Sequence, residues 1–202
     1  MKSLHVVLHQ PKIPQNTGSI ARTCAAVGAK LHLIKPLGFS TDNKYLKRAG
    51  LDYWKLVEVF YYENFSELLK QYPTGNFIYL TKKASQSYNK IHTGGDIFLI
   101  FGSETKGLPE SLLSQNIKKC FRIPMVKKAR SLNLSNSVAV VVYEVLKQND
   151  FLGLEISGGK TGYIGDTLVI NVAIFNQKHD NGGSFFEIDY NSDEVIYERV
   201  KL

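Results

Sequence analysis

Residues 5–34 have the sequence HVVLHQPKIPQNTGSIARTCAAVGAKLHLI, and this segment contains the strongest indication of the fold class. A short apolar run at its start is typical of a buried strand, and a loop with two prolines follows. The next residues predict a helix over 16–27, with Asn16 as its N-cap and Gly28 as the residue that ends it. Residues 30–34 predict a second strand. Strand, helix and strand within about thirty residues indicate a right-handed βαβ unit in a parallel sheet.

The same alternation continues to about residue 156. Further strands are expected at 56–62, 76–80, 97–101 and 120–123, and further helices at 65–72 and 134–148. Residues 97–101 are all apolar, as expected for a central strand that is covered on both faces. We therefore predict an α/β domain over residues 1–156, with a parallel sheet flanked by helices.

Residues 157–202 have a different composition. They begin with a glycine-rich segment that is typical of a linker, and residues 167–175 then give a strong strand signal. After a turn at 180–183, residues 184–190 are expected to be the hairpin partner of that strand. The sequence predicts a short β-rich C-terminal extension of unknown role.

The charge distribution points to a polyanionic partner. The net charge is +7, but residues 157–202 carry four Lys or Arg against seven Asp or Glu, which leaves +10 on residues 1–156. A basic body suits such a partner, because each phosphate that it neutralises releases counterions. A basic surface that only maintains solubility explains the charge equally well.

The sequence lacks the patterns typical of a membrane-spanning segment, a signal peptide, a disulfide framework or a zinc site. No apolar run is long enough to cross a bilayer, and the first residues are too short an apolar segment for a signal peptide, so we expect a cytoplasmic protein. The two cysteines form no CxxC pair, which argues against a disulfide framework and against a zinc site.

Three segments contain more polar or glycine residues than folding alone requires. In residues 11–23, PKIPQNTGSIART, a helix N-terminus is followed by Arg22, an arrangement that attracts anions. In residues 100–109, IFGSETKGLP, two glycines follow an apolar strand at the end where α/β sheets bind ligands. In residues 123–137, IPMVKKARSLNLSNS, cations precede more small polar residues than one N-cap needs. Taken singly, a capped helix with a surface arginine or a glycine turn before a helix explains each of the first two almost as well.

Taken together and in this order, the segments resemble the signature motifs of the SPOUT (trefoil-knotted) RNA methyltransferases. The match is closest to the tRNA wobble-nucleotide ribose 2′-O-methyltransferases and extends over residues 1 to about 155. It is carried by residues 13–18, 22–25, 48–53 (RAGLDY), 101–109, 123–126 and 131–136.

The resemblance implies a C-terminal trefoil knot, a homodimer with the site near the subunit interface, and S-adenosylmethionine bound by the loops after three strands. It implies cofactor contacts at Leu80, Thr81, Gly102, Ile123, Met125, Ser131 and Leu132. The matching reaction-centre positions are Asn16, Arg22, Glu104, Ser131, Asn133 and Tyr143.

The activity implied is methyl transfer to the ribose 2′-hydroxyl of cytidine or uridine 34 in the tRNA anticodon loop, whose single-stranded bases are accessible to proteins. We expect Arg22 to stabilise negative charge rather than act as a base, because an arginine is effectively always protonated. No metal is expected, because the sulfonium is already an activated methyl donor. The expected phosphate contacts are Lys44, Lys47, Arg48, Lys82, Lys83, Lys127, Lys128 and Arg130.

Two other functions are compatible with the sequence. One is 2′-O-methylation of a different site in tRNA or rRNA. The other is a non-catalytic knotted RNA-binding protein. The residues at the matching positions argue against it; they are Arg22, Glu104, Ser131 and Asn133.

Overall fold

The computed structural model describes residues 1–40, 51–151, 154, 162–164, 167–169, 184–186 and 199–201. Met1–Leu152 form one compact unit and Gly153–Leu202 a second. Among the described residues, no helix is long and apolar enough to cross a membrane.

The first unit contains a seven-stranded sheet. Its strands are β1 (Ser3–His9), β2 (Lys30–Ile34), β3 (Val59–Tyr62), β4 (Asn76–Leu80), β5 (Gln86–Ser87), β6 (Asp96–Phe101) and β7 (Cys120–Arg122). Their order is β3-β2-β1-β6-β4-β7-β5, and each neighbouring pair is parallel. The predicted parallel α/β sheet is therefore confirmed.

Within residues 1–40 and 51–151, the α-helices are α1 (Pro14–Val27), α2 (Phe65–Gln71), α3 (Glu110–Gln115) and α4 (Leu134–Lys147). The same residues include short 3₁₀ helices at Leu51–Leu56, Tyr88–Lys90 and Ile117–Lys119. Gly28 ends α1 in the left-handed conformation, with φ 67°, as the sequence predicts.

Asn16 is not the N-cap of α1, contrary to expectation. The helix begins two residues earlier, at Pro14, and Ile13 has the N-cap position. Proline suits the first helical position because its fixed φ matches the helix and its missing N–H has no partner there anyway. Asn16 thus lies inside the first turn, and its amide is free to bond to other segments.

Two further differences concern the strands. The strand predicted at 56–62 begins only at Val59, because residues Leu51–Leu56 form a 3₁₀ helix instead. The edge strand β5 was not predicted, since two polar residues carry no periodic signal.

Apolar residues cover both faces of the sheet. On one face, Phe98 and Ile100 of β6 pack in a cluster with Leu68 of α2 and Leu113 of α3. Successive side chains of a strand alternate between faces, so Ile97 and Leu99, which are both fully buried, belong to the opposite face. The apolar stripe of α4 that the sequence predicts is buried, and α4 packs against α1. The core therefore fixes the carboxyl ends of the central strands, where the loops of the site begin.

The described residues of the second unit form two antiparallel strand pairs. Gly162–Ile164 (β8) pairs with Thr167–Val169 (β9), and Ser184–Phe186 (β10) pairs with Arg199–Lys201 (β11). The predicted pairing of 167–175 with 184–190 is therefore wrong for the described residues. Only Gly165 and Asp166 separate β8 from β9, and a Gly-Asp pair between strands is a hairpin signal with little loop-closure cost.

Candidate active site

The carboxyl ends of β4, β6 and β7 meet at one edge of the sheet and surround a cavity of about 540 Å³. The loops that follow these three strands supply most of its lining, and residues of α1, α3 and α4 also contribute. This volume is in the range of small-molecule sites, and such edges are where α/β proteins bind ligands.

The cavity has an apolar part and a polar part. Apolar lining comes from Leu80, Phe101, Leu108, Leu113, Phe121, Ile123, Met125 and Leu132. Polar lining comes from Asn16, Thr81, Ser103, Glu104, Ser131, Asn133 and Ser137, and four cations, Lys82, Lys83, Lys106 and Arg130, also border it. All the residues predicted to contact cofactor lie here: Leu80, Thr81, Gly102, Ile123, Met125, Ser131 and Leu132.

The loop after β6 is closed by a glycine pair. A Cβ at Gly102 would lie 2.1 Å from the carbonyl carbon of Gly107, a distance that no real side chain tolerates. Gly107 itself has φ 69°, and its N–H donates to the carbonyl of Ser103 at 2.9 Å. The spacing Gly-x-x-x-x-Gly thus makes a tight turn that brings Glu104 to the edge of the cavity.

Glu104 fastens this loop to the segment before α1. The N–H groups of Lys12 and Ile13 donate to its carboxylate oxygens, at 2.8 Å and 3.2 Å. The side-chain amide of Asn16 donates to the same carboxylate at 2.9 Å. Burial acts to raise the pKa of Glu104, but the hydrogen bonds from Asn16 and from backbone N–H groups outweigh it and lower the pKa below its ordinary value. Glu104 is therefore a charged anchor rather than a proton acceptor.

Asn16 extends this connection to the start of α4. Its Oδ1 accepts a hydrogen bond from the amide of Asn133 at 3.0 Å. Asn133 is the N-cap of α4, and its own Oδ1 accepts from the N–H and the hydroxyl of Ser135. Glu104, Asn16 and Asn133 therefore form a chain, hereafter the amide network, that joins three segments far apart in sequence.

Residues 11–13, which precede α1, are also anchored on the side away from Glu104, and the sequence did not predict this second anchor. The N–H of Gly38 donates to the carbonyl of Pro11 at 2.9 Å, and a Cβ at Gly38 would lie 2.7 Å from Cα of Lys12. The sequence carries no local signal for this contact. Residues 11–13 are thus held between Gly38 and Glu104.

Two predicted reaction-centre residues do not line the cavity of this chain. Arg22 lies six residues after Asn16, which places it about 9 Å further along α1 and about 240° around the helix; it is exposed. Tyr143 is on α4 and is 48% exposed. Both residues are thus exposed on helices that pack against each other.

The expected phosphate contacts divide into three groups. Lys82, Lys83 and Arg130 border the cavity, and Lys83 forms an ion pair with Glu110. Lys127 and Lys128 are exposed in the loop that leads to α4. Lys44, Lys47 and Arg48 lie outside the described residues.

No cluster of three or more His, Cys, Asp or Glu that could hold a metal occurs among the residues that the structure describes. Both cysteines are buried and unpaired by disulfide. Burial raises the pKa of the Cys24 thiol to about 12.

Comparison with known proteins agrees with this geometry. Residues 3–143 match the SpoU rRNA Methylase family. A protein of Bacillus subtilis (strain 168) is 52% identical over 156 residues, which cover 76% of this chain and 98% of that protein. The tRNA (cytidine(34)-2′-O)-methyltransferase of Methylovorus glucosotrophus (strain SIP3-4) is 47% identical over 150 residues, 73% of this chain and 97% of its own length. A structure solved in a study of the 2-OH methylation of C/U34 on tRNA has a TM-score of 0.70 and 40% identity, and the match covers 74% of this chain and 98% of that one. With its parallel sheet, its cavity at the carboxyl edge and these matches, the chain belongs to the SpoU rRNA Methylase family.

Proposed function

We propose that the chain transfers a methyl group from S-adenosylmethionine to the ribose 2′-hydroxyl of the wobble nucleotide, cytidine or uridine, in the tRNA anticodon loop. The observation that carries this proposal is the cavity at the carboxyl edge of the sheet, with the amide network along its border. The Methylovorus glucosotrophus relative, which is named for the reaction at cytidine 34, supports the choice of RNA.

The residues present fit S-adenosylmethionine. The apolar lining suits an adenine ring, with Leu80, Ile123 and Leu132 as the contacts, and Thr81 and Ser131 offer hydroxyls to its polar groups. When bound, S-adenosylmethionine would supply a methyl group on a positively charged sulfur, which is ready for attack by an oxygen.

Transfer to a ribose requires that the 2′-hydroxyl lose its proton, which in this proposal passes to solvent water, and that negative charge on the oxygen be stabilised. Glu104 is unsuited to accept that proton, because its carboxylate already accepts three hydrogen bonds and its pKa is lowered. Its role in the proposal is to hold Asn16 and Asn133 in place, while Ser131 and Asn133 orient ribose and cofactor. Alignment of this kind can contribute several kcal/mol to the rate.

Arg22 supplies the positive charge in this proposal. Since Arg22 does not line the cavity of its own chain, the proposal requires a homodimer in which exposed residues of α1 and α4 face the second copy. Exposed Val140 and Tyr143 on α4, 38% and 48% accessible, are suitable contacts for such an interface. Arg22 of one copy would then stabilise the oxyanion, or the adjacent phosphate, at the cavity of the other.

Two structural proposals accompany the function. We expect the segment after β7 and α4 to form the trefoil knot, an expectation supported by its position: the segment lines the same cavity as the loops after β4 and β6, and α4 then packs against α1. We also propose that 1–156 is the catalytic domain and that 157–202 is an accessory element, because relatives of nearly this domain length match it over 97–98% of their own chains. Loss of methylation from a folded dimer that ends at Ile156 would contradict the second proposal.

The experiment that tests the function is a map of 2′-O-methyl groups in RNA from a strain that lacks the gene. We expect loss of the mark at the wobble nucleotide of one or more tRNAs and its return when the gene is restored. Loss at another tRNA or rRNA position would favour the alternative substrate, and no loss at any position would favour a non-catalytic RNA-binding role.

A further inference from the structure

A second cavity lies at the same edge of the sheet, beyond the carboxyl ends of β2 and β3. Its volume is about 470 Å³, and its lining includes Pro36, Leu37, Phe39 and Tyr61, with Lys35 and Glu63 as the charged members. The reaction proposed above uses none of these residues.

The position of this second cavity relates it to the first. Two to three strand spacings of about 4.8 Å separate β2 and β3 from β6, so the two cavities are on the order of 10–15 Å apart along the edge. A single-stranded segment of a few nucleotides covers such a distance. An RNA that places one ribose in the first cavity can therefore extend across residues 11–13 to the second.

The segment between the cavities is held firmly. Residues 11–13 are bonded to Glu104 on one side and to Gly38 on the other. Gly38 lies in the loop that lines the second cavity, between Leu37 and Phe39. The distance between the two cavities is thus fixed by contacts rather than left to a flexible connection.

The lining of the second cavity suits a nucleobase. The Tyr61 side chain is 41% exposed at the edge strand, which leaves ring surface accessible, and Phe39 adds a second aromatic group. Proteins bind unpaired bases by stacking them on such rings. Lys35 and Glu63 form an ion pair at 2.6 Å with exposed side chains, a contact of small net strength, so its donor and acceptor atoms are available to the polar edge of a base.

We propose that the second cavity binds a nucleobase that flanks the methylated nucleotide, stacked on the ring of Tyr61. This inference rests on the proposed function and extends it, because it makes Tyr61 a substrate-positioning residue outside the reaction centre. The sequence next to the wobble nucleotide then contributes to the choice of tRNA.

The test uses the full-length protein and an anticodon stem-loop RNA. Tyr61→Ala should weaken RNA binding by about 5- to 100-fold, the usual range for the loss of one stacked base. Tyr61→Phe should bind nearly as well as the parent, and Tyr61→Leu should not, because only the aromatic plane matters. Phe151→Ala is the matched control, since Phe151 is an equally exposed aromatic residue at 40% and lies beyond α4. KM for RNA should rise while kcat at saturating RNA and the Kd for S-adenosylmethionine stay unchanged.

A second arm uses the parent protein, so it does not depend on a folded variant. RNAs that each lack one base, at a single position on either side of the target, are compared for binding to the parent protein. One of them should bind more weakly than the intact RNA, by the same factor as the Tyr61→Ala change causes. On that RNA, Tyr61→Ala should cause no further loss. If no flanking base contributes, or if the Tyr61→Ala effect is the same on every RNA, the inference is wrong while the proposed function stands. If the parent neither binds nor methylates the intact stem-loop, the proposed function fails as well.

Discussion

The carboxylate of Glu104 accepts three hydrogen bonds, and these determine both its charge and its role. The pKa of Glu104 is lower in the folded protein than in the unfolded chain, so its ionised carboxylate stabilises the fold above the unfolded-state pKa. This contribution to the free energy of unfolding is lost as the pH falls through the folded-state pKa. Glu104 therefore stays ionised at neutral pH and holds its donors through the whole range in which tRNA methylation is expected to occur.

Replacement of this anchor should weaken the site without removing a reacting group. In Glu104→Gln, one carboxylate oxygen becomes an NH₂ that faces a donor, so a partly buried donor loses its partner at a cost of about 1 kcal/mol or more. We expect a lower melting temperature and weaker cofactor binding, measured by thermal denaturation and calorimetry. Glu110→Gln is the matched control, because Glu110 is 69% exposed and pairs only with Lys83 at the surface. Equal effects of the two changes would contradict the anchoring role.

Arg22 gives the sharpest test of mechanism at the level of one side chain. If it stabilises negative charge, Arg22→Lys should keep part of the activity and Arg22→Ala should lose on the order of a hundredfold or more. Cofactor affinity should change little, because the cofactor contacts come from other loops. A single-turnover pH–rate profile of Arg22→Lys should keep the shape of the parent profile. A steep rise across neutral pH, absent from the parent, would show that the residue acts as a base instead.

Individual secondary-structure elements differed in how well the sequence predicted them. The strand at 97–101 and the helix at 134–148 have long apolar patterns, and both were found within one residue of their predicted ends. The N-cap of α1 was mispredicted because Pro14 and Asn16 are both good helix-start residues, and tertiary contacts to Glu104 and Asn133 decided between them. The partner of Thr167–Val169 was mispredicted, because Gly165-Asp166 before it is a short turn signal that favours pairing with Gly162–Ile164.

The sequence also predicted some residues of the site better than others. The predicted cofactor residues lie together because they follow strands whose carboxyl ends share one edge of the sheet, which motif order and topology make predictable. Arg22 and Tyr143 do not join them because a helix rotates residues away from its start, and motif spacing carries no information about a second copy of the chain. The contact of Gly38 with Lys12 depends on two loops far apart in sequence, so no local pattern predicts it.

The loop after β6 provides a prediction for an element. Gly102→Ala places a methyl group 2.1 Å from the backbone of Gly107, so the turn must open and Glu104 must move. A displacement of about 1 Å in a site can cost on the order of a hundredfold in rate, and we expect at least that loss together with weaker S-adenosylmethionine binding. Gly94→Ala is the control, because its Cβ would have no neighbour within 4 Å. Unchanged kinetics of a folded Gly102→Ala protein would show that the tight turn is not required.

A chain of hydrogen bonds crosses the sheet from Ser3 and Asp96, at the amino ends of β1 and β6, to Tyr62, at the carboxyl end of β3. Ser3 donates to Asp96 at 2.6 Å and lies 2.7 Å from Nε2 of His5. Nδ1 of His5 is 2.8 Å from Nε2 of His32, whose Nδ1 is 3.1 Å from the hydroxyl of Tyr62. Since the Ser3 proton is already donated, the chain is complete when each histidine is neutral, donates through Nε2 and accepts at Nδ1. Burial, with nearby Lys30 as a smaller cause, lowers the pKa of His5 to about 4, and burial with charge on His5 lowers that of His32 to about 3.

Stability of the whole domain should therefore depend on pH. The unfolded chain binds protons on both histidines below about pH 6.5, whereas the folded chain does not, so stability is full above that value and falls as the pH approaches 4. The expected slope is roughly 1.4 kcal/mol per pH unit for each histidine. Urea denaturation at pH 7.5, 6, 5.5 and 5 measures this slope. These pH values lie above the range, on the order of pH 4, in which most carboxylates titrate. A free energy of unfolding that stays constant from pH 7.5 down to pH 5 would contradict the assignment.

The measurement that tests the proposed reaction most directly uses purified protein, tRNA transcripts and S-adenosylmethionine with a labelled methyl group. Each tRNA is compared with a copy that lacks only the 2′-hydroxyl of the wobble nucleotide. We predict that label enters the intact tRNA at that ribose and does not enter the 2′-deoxy copy. Equal labelling of both RNAs, or label mapped to a base or to another nucleotide, would contradict the account.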